Sequence, residues 1–303
     1  MTYSCKIALA KAYKKLYKSN INSASLDAEL LLSFTLKKSR EHILAHPEIK
    51  LNERQVKKFN DLIAQRAKHV PLAYLTKEKE FYGRKFYVDE RVLVPRPETE
   101  IIIDELRMRN YELGMNANII DIGTGSGCII ITLAKELNIL HSKICNLQLF
   151  ATDISQDALA VAKKNARMHG VDKKIKFLHG NLLEPFIKSL GVTRCALRDL
   201  VVTANLPYLD SDMKNLLKSS NSQALKYEPR LALDGGADGL NLYRELSDQV
   251  KQLIKLFPKL KITLLCEIGE THGEEIKKIF SFAKNVEIKK DLAGLDRISV
   301  IKF

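Results

Sequence analysis

The sequence lacks several patterns that would place it in a simple class. No apolar run approaches the roughly 18 residues of a membrane span, and the start at Met1 has no basic segment followed by an apolar signal region. We therefore expect a cytoplasmic protein that does not cross a membrane. Glycine and proline are scarce, at 14 and 8 of 303 residues, while 46% of the residues are hydrophobic. Such a chain is neither fibrous nor disordered and can bury a large core, which predicts two domains.

Motifs for metal binding, disulfide frameworks and nucleotide hydrolysis are missing as well. The cysteines are odd in number and form no Cys-x-x-Cys pair, which predicts reduced, mostly buried thiols and no zinc site. They are Cys5, Cys128, Cys145, Cys195 and Cys266. The seven histidines show no His-Glu-x-x-His spacing, so no metal site is expected. The absence of Gly-Lys-Ser and Gly-Lys-Thr argues against a phosphate-binding loop.

The net charge is +13, from 49 Lys and Arg against 36 Asp and Glu. A basic surface can neutralise phosphates and attract nucleic acid. Here the basic residues occur as scattered pairs such as Lys14-Lys15, often interleaved with acids on helical stretches, which is typical of solvated faces. The pattern favours a solvated surface over a dedicated groove and leaves direct nucleic-acid binding open. A partner that contains RNA, such as a ribosomal complex, would suit this charge without base readout.

Three segments are distinguished by the spacing of apolar residues. Residues 1–72 have helical periodicity and predict a small all-α domain, in which Asn52 and Gln55 form an N-terminal cap. Residues 73–95 have aromatic residues around Gly83, which predicts a β-hairpin linker. In residues 96–303 strand runs alternate with helical segments, the signature of a doubly wound α/β sheet.

The α/β region predicts a sheet that is parallel except at one edge. The last two strand runs have no long helix between them, so they are expected to form a closing antiparallel pair. Residues 191–198 and 210–228 are expected to be loops or insertions near the carboxyl edge of the sheet, where such folds bind ligands. The predicted strands are 118–122, 147–152, 175–178, 199–204, 261–267, 285–289 and 297–302.

A glycine-rich turn follows the first of these strands. Its spacing over Gly123–Gly127 is Gly-x-Gly-x-Gly, and the next strand ends at Asp153, whose carboxylate can accept both hydroxyls of a ribose. Asp121 is expected to face the positive amino-acid end of the ligand. Together these features favour S-adenosylmethionine over a nucleotide phosphate. The alternative is structural: a tight turn, with Asp153 as the cap of a helix over 154–169.

A second motif, Asn205-Leu206-Pro207-Tyr208, ends the strand over 199–204. An amide, a rigid proline and an aromatic ring suit a planar NH2 group, whose nitrogen is a poor nucleophile that must be held in line with its hydrogens accepted. The Asn205 side-chain oxygen and the next backbone carbonyl can accept the two hydrogens, and Tyr208 can stack on the group. The alternative is a polar turn that closes a strand.

These motifs, together with Pro95-Arg96-Pro97-Glu98-Thr99-Glu100 and Tyr227-Glu228-Pro229-Arg230-Leu231-Ala232-Leu233, resemble the peptide chain release factor glutamine methyltransferase family over essentially the whole chain. The resemblance implies a Rossmann-like class I S-adenosylmethionine-dependent methyltransferase domain with a terminal antiparallel β-hairpin. It implies methylation of the glutamine in the Gly-Gly-Gln motif of class 1 release factors, which act in translation termination. It also implies that residues 1–72 help to grip that factor, and we expect a monomer.

The resemblance carries over roles for individual residues. Asn205, Pro207 and Tyr208 are the expected catalytic residues, and Asn205, Leu206, Pro207 and Tyr208 the expected substrate-binding residues. The expected cofactor-binding residues are Gly123, Thr124, Gly125, Ser126, Gly127, Asp153, Asn181 and Asn205.

The sequence departs from the family pattern at two places. Leu206 stands where the family usually has proline; the backbone carbonyl survives, but a less rigid loop could reduce activity. Asn181 stands where many relatives have a bulkier or acidic neighbourhood for the adenine. Arg96, Glu98 and Thr99 either start a helix over 98–108 or lie over the active site, and the two interpretations are compatible.

Three other functions fit the same motifs. A nucleic-acid amino-methyltransferase meets the same planar NH2 problem, although it would need a flipped base and a recognition element that the sequence does not suggest. A methyltransferase acting on a ribosomal protein glutamine is a second rival. The third is a non-catalytic cofactor-binding scaffold, in which Leu206 marks lost activity.

Overall fold

A computed structural model describes residues 3–108, 117–140, 147–190, 199–211 and 220–303 of the chain. The contacts divide the chain into two compact units. The helical unit comprises Met1–Glu78 and Met213–Glu228, and the sheet unit comprises Lys79–Asp212 and Pro229–Phe303. The recognition role expected for residues 1–72 stays a prediction.

The helical unit has a core of leucine, isoleucine and alanine side chains with Phe59 among them. The cap predicted at Asn52 and Gln55 is present, at the start of the fourth helix instead of the third: Asn52 Oδ1 accepts from the Gln55 N–H at 2.9 Å, and Gln55 Oε1 accepts from the Asn52 N–H at 3.0 Å. A 3₁₀ helix at Ser220–Tyr227 lies in a segment that the sequence assigned to a loop. The helices are α1 Cys5–Lys18, α2 Ala24–Leu36, α3 Arg40–Ala45, α4 Glu53–Arg66 and α5 Leu72–Thr76.

One ion pair lies inside the helical unit. Asp27 on α2 is only 3% exposed, and its Oδ2 accepts from Nε of Arg66 at the end of α4 at 2.7 Å. Arg66 also donates to the carbonyl oxygen of Val70 at 3.1 Å. A buried carboxylate is tolerated here because a cation and hydrogen bonds compensate for its lost hydration.

The hairpin predicted around Gly83 is present. Strands β1 Lys79–Phe81 and β2 Arg84–Phe86 pair antiparallel. The two turn residues, Tyr82 and Gly83, both have positive φ values, 51° and 67°, as a two-residue turn between twisted strands requires. Helix α5 was not predicted, since the sequence was interpreted as strand-like from residue 73.

The sheet unit contains the doubly wound sheet that the sequence predicted. Its described residues form seven strands in the order β5-β4-β3-β6-β7-β9-β8. Strands β3 to β7 run parallel to one another, and β9 is antiparallel to both β7 and β8. The seven predicted strands and the antiparallel closing pair are thus confirmed. The strands are β3 Ala117–Ile122, β4 Gln148–Asp153, β5 Ile175–His179, β6 Asp199–Asn205, β7 Lys261–Glu267, β8 Asn285–Lys290 and β9 Asp296–Lys302.

Both faces of the sheet are covered. Ile120 and Val202 belong to one buried cluster, and Ile119 and Val201 to the other, because successive side chains of a strand point to opposite faces. Residues 191–198, predicted as a loop, lie outside the described residues, as do residues 212–219 of the second predicted insertion. The helices are α6 Glu100–Met108, α7 Cys128–Leu140, α8 Gln156–Met168, α9 Glu184–Ser189, α10 Asn241–Leu256 and α11 Gly273–Ile279, with 3₁₀ helices at Pro97–Thr99 and Arg230–Ala232.

Membrane-spanning helices, metal sites and cysteine pairing can be checked within the described residues. No helix among them is long and apolar enough to cross a membrane, and no group of three His, Cys, Asp or Glu side chains among them could hold a metal ion. Cys5, Cys128 and Cys266 are buried free thiols. Burial raises the pKa of Cys128 and of Cys266 to about 12, so both thiols stay protonated and inert. Cys145 and Cys195 lie outside the described residues.

Candidate functional site

A cavity in the sheet unit lies where the strand order changes direction, at the carboxyl ends of β3, β4 and β6. Ligands bind at this position in open α/β sheets. Of the expected catalytic, cofactor-binding and substrate-binding residues, nine line the cavity: Gly123, Thr124, Gly125, Ser126, Asp153, Asn181, Asn205, Leu206 and Pro207. Gly127 and Tyr208 are not among its lining residues.

The glycine-rich turn connects β3 to α7. Gly123 and Gly125 have φ values of +63° and +55°, which side chains rarely tolerate, and both line the cavity with their backbone exposed to a ligand. The third glycine has another function. A Cβ on Gly127 would lie 2.9 Å from Cδ1 of Ile131 and 3.2 Å from Cβ of Ala162. Gly127 therefore allows close packing of α7 on α8, and its expected contact with a cofactor stays a prediction.

Asp153 ends β4 and is 8% exposed. Its Oδ2 accepts from the N–H of Gly125 at 2.9 Å, and its Oδ1 accepts from the N–H of Ser155 at 2.8 Å. The N-cap of α8 is Ser155, whose hydroxyl accepts from Ala158 N–H at 3.1 Å, so the interpretation of Asp153 as the helix cap is wrong. Burial raises the pKa of Asp153. Its carboxylate keeps lone pairs for further donors, such as hydroxyl groups.

Asp121 lies on β3, two residues before Gly123, and is fully buried. Its two oxygens accept from the hydroxyls of Thr124 at 2.6 Å and Thr203 at 2.8 Å. Burial raises the pKa of Asp121 to about 7. Asp121 does not line the cavity, so its expected influence on a ligand would act through Thr124 and through its charge.

Asn205 ends β6 and takes part in a chain of hydrogen bonds. Its Nδ2 donates to Oγ1 of Thr99 at 3.0 Å, and the Thr99 hydroxyl donates to Oε2 of Glu267 at 2.6 Å. A carboxylate only accepts, so the single hydroxyl proton of Thr99 goes to Glu267 and its lone pair takes an N–H from Asn205. Oδ1 of Asn205 is then the atom that can accept a hydrogen bond from an NH2 group in the cavity.

Both interpretations of the segment around Thr99, the start of a helix and a position over the active site, agree with the structure. It lies in the 3₁₀ helix Pro97–Thr99 that leads into α6, and it also lines the cavity. Its side chain is 2% exposed. The predicted helix over 98–108 begins in this 3₁₀ turn and continues as α6.

Leu206 and Tyr208 continue the acceptor segment. Leu206 is buried, and its Cδ2 lies 3.3 Å from the position that a Cβ on Gly123 would occupy. The side chain therefore packs the acceptor segment against the glycine-rich turn. The Tyr208 hydroxyl donates to Oε1 of Glu267 at 3.3 Å. Burial and then the Glu267 charge raise the pKa of Tyr208, so its phenol stays protonated.

Comparison with known proteins identifies the family. Residues 8–76 match the family model described as PrmC N-terminal domain, and residues 113–284 match a methyltransferase domain. A release factor glutamine methyltransferase of Clostridium acetobutylicum is 34% identical over 295 residues, which cover 97% of this chain and 96% of that protein. The chain belongs to the release factor glutamine methyltransferase family. The resemblance stated from its motifs and the fold class predicted with it are confirmed.

Two other similarities set limits on what the family shows. A bifunctional methyltransferase of Rickettsia felis is 35% identical over 98% of this chain but over only 58% of its own length, so the chain spans a little over half of that relative. The solved N-terminal domain of human METTL16 in complex with SAH has a TM-score of 0.51 and 16% identity, covering 89% of this chain and 93% of that chain. At this identity the similarity supports the methyltransferase fold alone.

In this family member Asn181 also lines the cavity. Its Nδ2 donates to Oε1 of Glu245, and it follows Gly180, whose N–H donates to the carbonyl oxygen of Asp153 at 3.0 Å. The position beside Asp153 agrees with an adenine or ribose contact. That role stays a prediction.

The sequence did not single out Asn165. This fully buried residue of α8 donates from Nδ2 to the carbonyl oxygens of Ser126 at 2.8 Å and Tyr87 at 2.9 Å, and its Oδ1 accepts from the Tyr87 N–H at 2.8 Å. It joins the glycine-rich turn to the segment after the hairpin. The only sequence signal was an amide on the apolar face of α8, next to Ala162 and Ala166.

Arg91 was also overlooked, although it lines the cavity. Its Nε and Nη2 donate to the two carboxylate oxygens of Asp89 at 2.9 and 2.7 Å, and the Tyr87 hydroxyl donates to Asp89 at 2.8 Å. Burial would raise the pKa of Asp89, but the hydrogen bonds from Arg91 and Tyr87 outweigh it and lower the pKa to about 2. The bidentate pair fixes a cation at the cavity wall.

Proposed function

We propose that this protein transfers a methyl group from S-adenosylmethionine to the side-chain amide nitrogen of the glutamine in the Gly-Gly-Gln motif of class 1 release factors. The observation that carries the proposal is the orientation of Asn205. Thr99 takes an N–H of its amide, so the amide oxygen is free to accept beside the glycine-rich turn. Family membership supplies the class of acceptor.

The residues around the cavity fit this cofactor. Gly123 and Gly125 allow close approach of the backbone, and the carboxylate of Asp153 suits ribose hydroxyls. Burial raises the pKa values of Asp121, Asp153 and Glu267, all close to this edge of the sheet. A cationic ligand would favour the ionised forms of these acids, so the site suits a cation better than a phosphate. When bound, S-adenosylmethionine would supply a methyl group activated by its sulfonium.

The acceptor segment would hold the substrate amide. Asn205 Oδ1 and the Leu206 carbonyl oxygen would accept its two hydrogens, which turns the nitrogen lone pair toward the methyl group. Methyl transfer would form the N–C bond as the S–C bond breaks, and the nitrogen would give up one proton to solvent. Pro207 stiffens the segment, and the ring of Tyr208 would stack on the amide plane. Positioning supplies most of the rate enhancement, because an amide nitrogen is a weak nucleophile.

The protein substrate would be gripped by the helical unit. Residues 8–76 match the PrmC N-terminal domain, which agrees with a dedicated recognition module of a release factor methyltransferase. We expect a monomer that binds one release factor at a time.

The net charge of +13 keeps one other candidate in view, an amino-methyltransferase acting on nucleic acid. An adenine amino group presents the same planar NH2 to Asn205. The base would have to be flipped out of its stack. The family membership favours the protein substrate.

The test is methyl transfer from labelled S-adenosylmethionine to four purified acceptors. These are a class 1 release factor, the same factor with Gln→Ala in its Gly-Gly-Gln motif, a bare RNA, and a ribosomal protein methylated at glutamine in other systems. Label on the intact factor alone supports the proposal. Label on RNA or on the ribosomal protein would replace it with the corresponding rival, and cofactor binding without any label would indicate a scaffold.

A further inference from the structure

Glu267 is the residue that connects the two polar side chains of the acceptor segment. It ends β7 directly opposite Asn205 of β6 in the parallel register, and it is 1% exposed. Its Oε2 accepts from Thr99 and its Oε1 accepts from Tyr208, at 2.6 and 3.3 Å. One buried carboxylate therefore contacts both the partner of the Asn205 amide and the phenol of Tyr208.

The backbone at Glu267 is fixed independently of its side chain. The Tyr243 hydroxyl donates to the Glu267 carbonyl oxygen, and the Ser299 hydroxyl donates to the carbonyl oxygen of Cys266 at 3.3 Å. Strands β6 and β9 flank β7 on both sides. A substitution that preserves the size of the Glu267 side chain should therefore leave the strand in place.

The ionised carboxylate of Glu267 accepts hydrogen bonds at both oxygens. This sets the direction of the hydrogen bonds that run from Asn205 through Thr99 to Glu267. Because Glu267 takes the Thr99 proton, Thr99 must accept from Asn205, and Asn205 must present its oxygen to the cavity. An uncharged side chain at position 267 that donates to Thr99 Oγ1 would free the Thr99 hydroxyl to donate to Asn205 instead. Asn205 could then rotate its amide and present NH2, which repels the hydrogens of a substrate amide.

We propose that Glu267 is a positioning residue for methyl transfer, which orients the Asn205 amide through Thr99 and holds the Tyr208 ring through its hydroxyl. The proposal rests on the proposed function for its activity readout. It assigns no contact between Glu267 and the substrate. The effect should therefore fall on turnover, with cofactor affinity unchanged.

Glu267→Gln is the central variant. It keeps the size of the side chain but exchanges one acceptor oxygen for an NH2 donor, so the direction of the chain is no longer imposed. We expect kcat to fall about 100-fold, the lower end of the loss seen when one preorganised hydrogen-bond donor in an active site is removed. The dissociation constant for S-adenosylhomocysteine should stay within about twofold, since no expected cofactor contact changes.

Thr99 provides a matched pair. Thr99→Val has nearly the same shape and lacks the hydroxyl, so it breaks the chain, whereas Thr99→Ser keeps the hydroxyl and should restore most of the lost turnover. Glu136→Gln is the control for removing a buried acid elsewhere. Glu136 is 8% exposed and pairs with Arg84 at 2.6 Å, so its variant should lower the melting temperature without lowering kcat.

A second readout does not depend on turnover. In protein labelled with ¹⁵N-asparagine, the side-chain NH2 signals of Asn205 are identified by their loss in Asn205→Ala. One of its two protons should exchange slowly in the wild type and in Glu136→Gln, because Thr99 accepts it. Glu267→Gln and Thr99→Val should shift these signals and speed the exchange, and Thr99→Ser should return both toward the wild type.

The outcomes separate the two proposals. Unchanged Asn205 signals in Glu267→Gln, or a wild-type kcat for that variant, would overturn the positioning role whatever the substrate is. If the wild type methylates no release factor, the proposed function fails, and the NMR comparison still decides whether Glu267 orients Asn205. Parallel losses of turnover, cofactor affinity and melting temperature in Glu267→Gln would reduce Glu267 to a structural residue.

Discussion

In the helical unit the buried Asp27 is paired with the guanidinium of Arg66 at 2.7 Å, whereas three buried acids on the strands of the sheet, Asp121, Asp153 and Glu267, are held by neutral donors. Asp121 accepts from two threonine hydroxyls, Asp153 from two backbone N–H groups, and Glu267 from Thr99 and Tyr208. Both arrangements satisfy the lone pairs of the buried carboxylates, which an apolar core could not tolerate unpaired.

The difference lies in the charge that remains. An ion pair is neutral as a unit, so Asp27 contributes to the stability of the helical unit and has little field beyond it. Hydroxyl and backbone donors carry no formal charge, so they do not neutralise the ionised forms of Asp121, Asp153 and Glu267, and burial raises the pKa values of all three. Burying such an ionised group lowers the stability of the fold, but the group can stabilise a cationic ligand beside it. Perturbed pKa values of this kind cluster at functional sites. Four experiments test the candidate site of the sheet unit against the ion pair of the helical unit.

The largest effect is expected from Asn205→Ala, which removes the end of the hydrogen-bond chain that faces the cavity. Turnover on a release factor should fall about 1000-fold, since the substrate amide loses an acceptor that holds its nitrogen in line. Steady-state kinetics with labelled cofactor measure this loss. Asn285→Ala, at an exposed position on β8, is the matched control. Turnover close to the wild type in Asn205→Ala would remove Asn205 from the mechanism.

The second experiment tests the cost of the uncompensated Asp121. Its carboxyl group has a pKa of about 7 in the folded protein, against 3.8 for an unperturbed aspartate. The folded state therefore keeps a proton that the unfolded chain loses, and stability falls as the pH rises from about 4 to 7, by about 4 kcal/mol for the full shift. Asp121→Asn can still bond both threonine hydroxyls and lacks this decline.

Denaturant unfolding of wild type and Asp121→Asn at several pH values measures the difference. The difference in free energy of unfolding between Asp121→Asn and the wild type should shift in favour of the variant as the pH rises from about 4 to 7. If the free energy of unfolding depends on pH in the same way in both proteins, the pKa of Asp121 is not raised by folding and the prediction is wrong.

The third experiment breaks the ion pair of the helical unit. Asp27→Asn leaves the Arg66 guanidinium without its anion, and we expect a loss of about 3 kcal/mol in the free energy of unfolding. Asp61→Asn, at an exposed position of α4, should change it little. Cofactor affinity should be the same in both variants, because Asp27 does not line the cavity. A weaker cofactor affinity in Asp27→Asn would contradict the inference that Asp27 serves only the stability of the helical unit.

The smallest effect is expected from Asp153→Asn. The variant keeps one acceptor oxygen but loses the charge and the second acceptor, so the affinity for S-adenosylhomocysteine should fall about tenfold. Isothermal titration calorimetry measures it, with Asp157→Asn on the exposed face of α8 as the control. Equal affinities for both variants would mean that Asp153 serves only to hold the turn at Gly125 and Ser155.

Much of the fold could be predicted from local patterns. Alternating apolar runs predicted every strand of the sheet, and the short link between the last two runs predicted their antiparallel pairing. The capping box at Asn52 was visible because both of its partners lie within one helical turn. Helix α5 was missed, since five residues are too few for the periodicity to separate helix from strand.

The candidate site was predictable in part. Gly123, Asp153 and Asn205 were found because each follows a predicted strand, and the carboxyl ends of parallel strands meet at one edge of a sheet. Asn165 and Glu267 were not found, because their partners are far away in sequence. Glu267 contacts Thr99, 168 residues before it, and nothing in the composition of either segment indicates that contact.

The sequence by itself determined which elements form, where the glycine-rich turn and the acceptor segment lie, and which family the motifs resemble. These follow from backbone preferences and apolar spacing, which act over a few residues. The tertiary structure decided the direction of the hydrogen bonds from Asn205 through Thr99 to Glu267 and the packing role of Gly127. It also decided which donors hold each buried acid, a guanidinium for Asp27 and neutral groups for Asp121. These depend on which donors and acceptors meet when distant strands and helices pack, and on the loss of water around them.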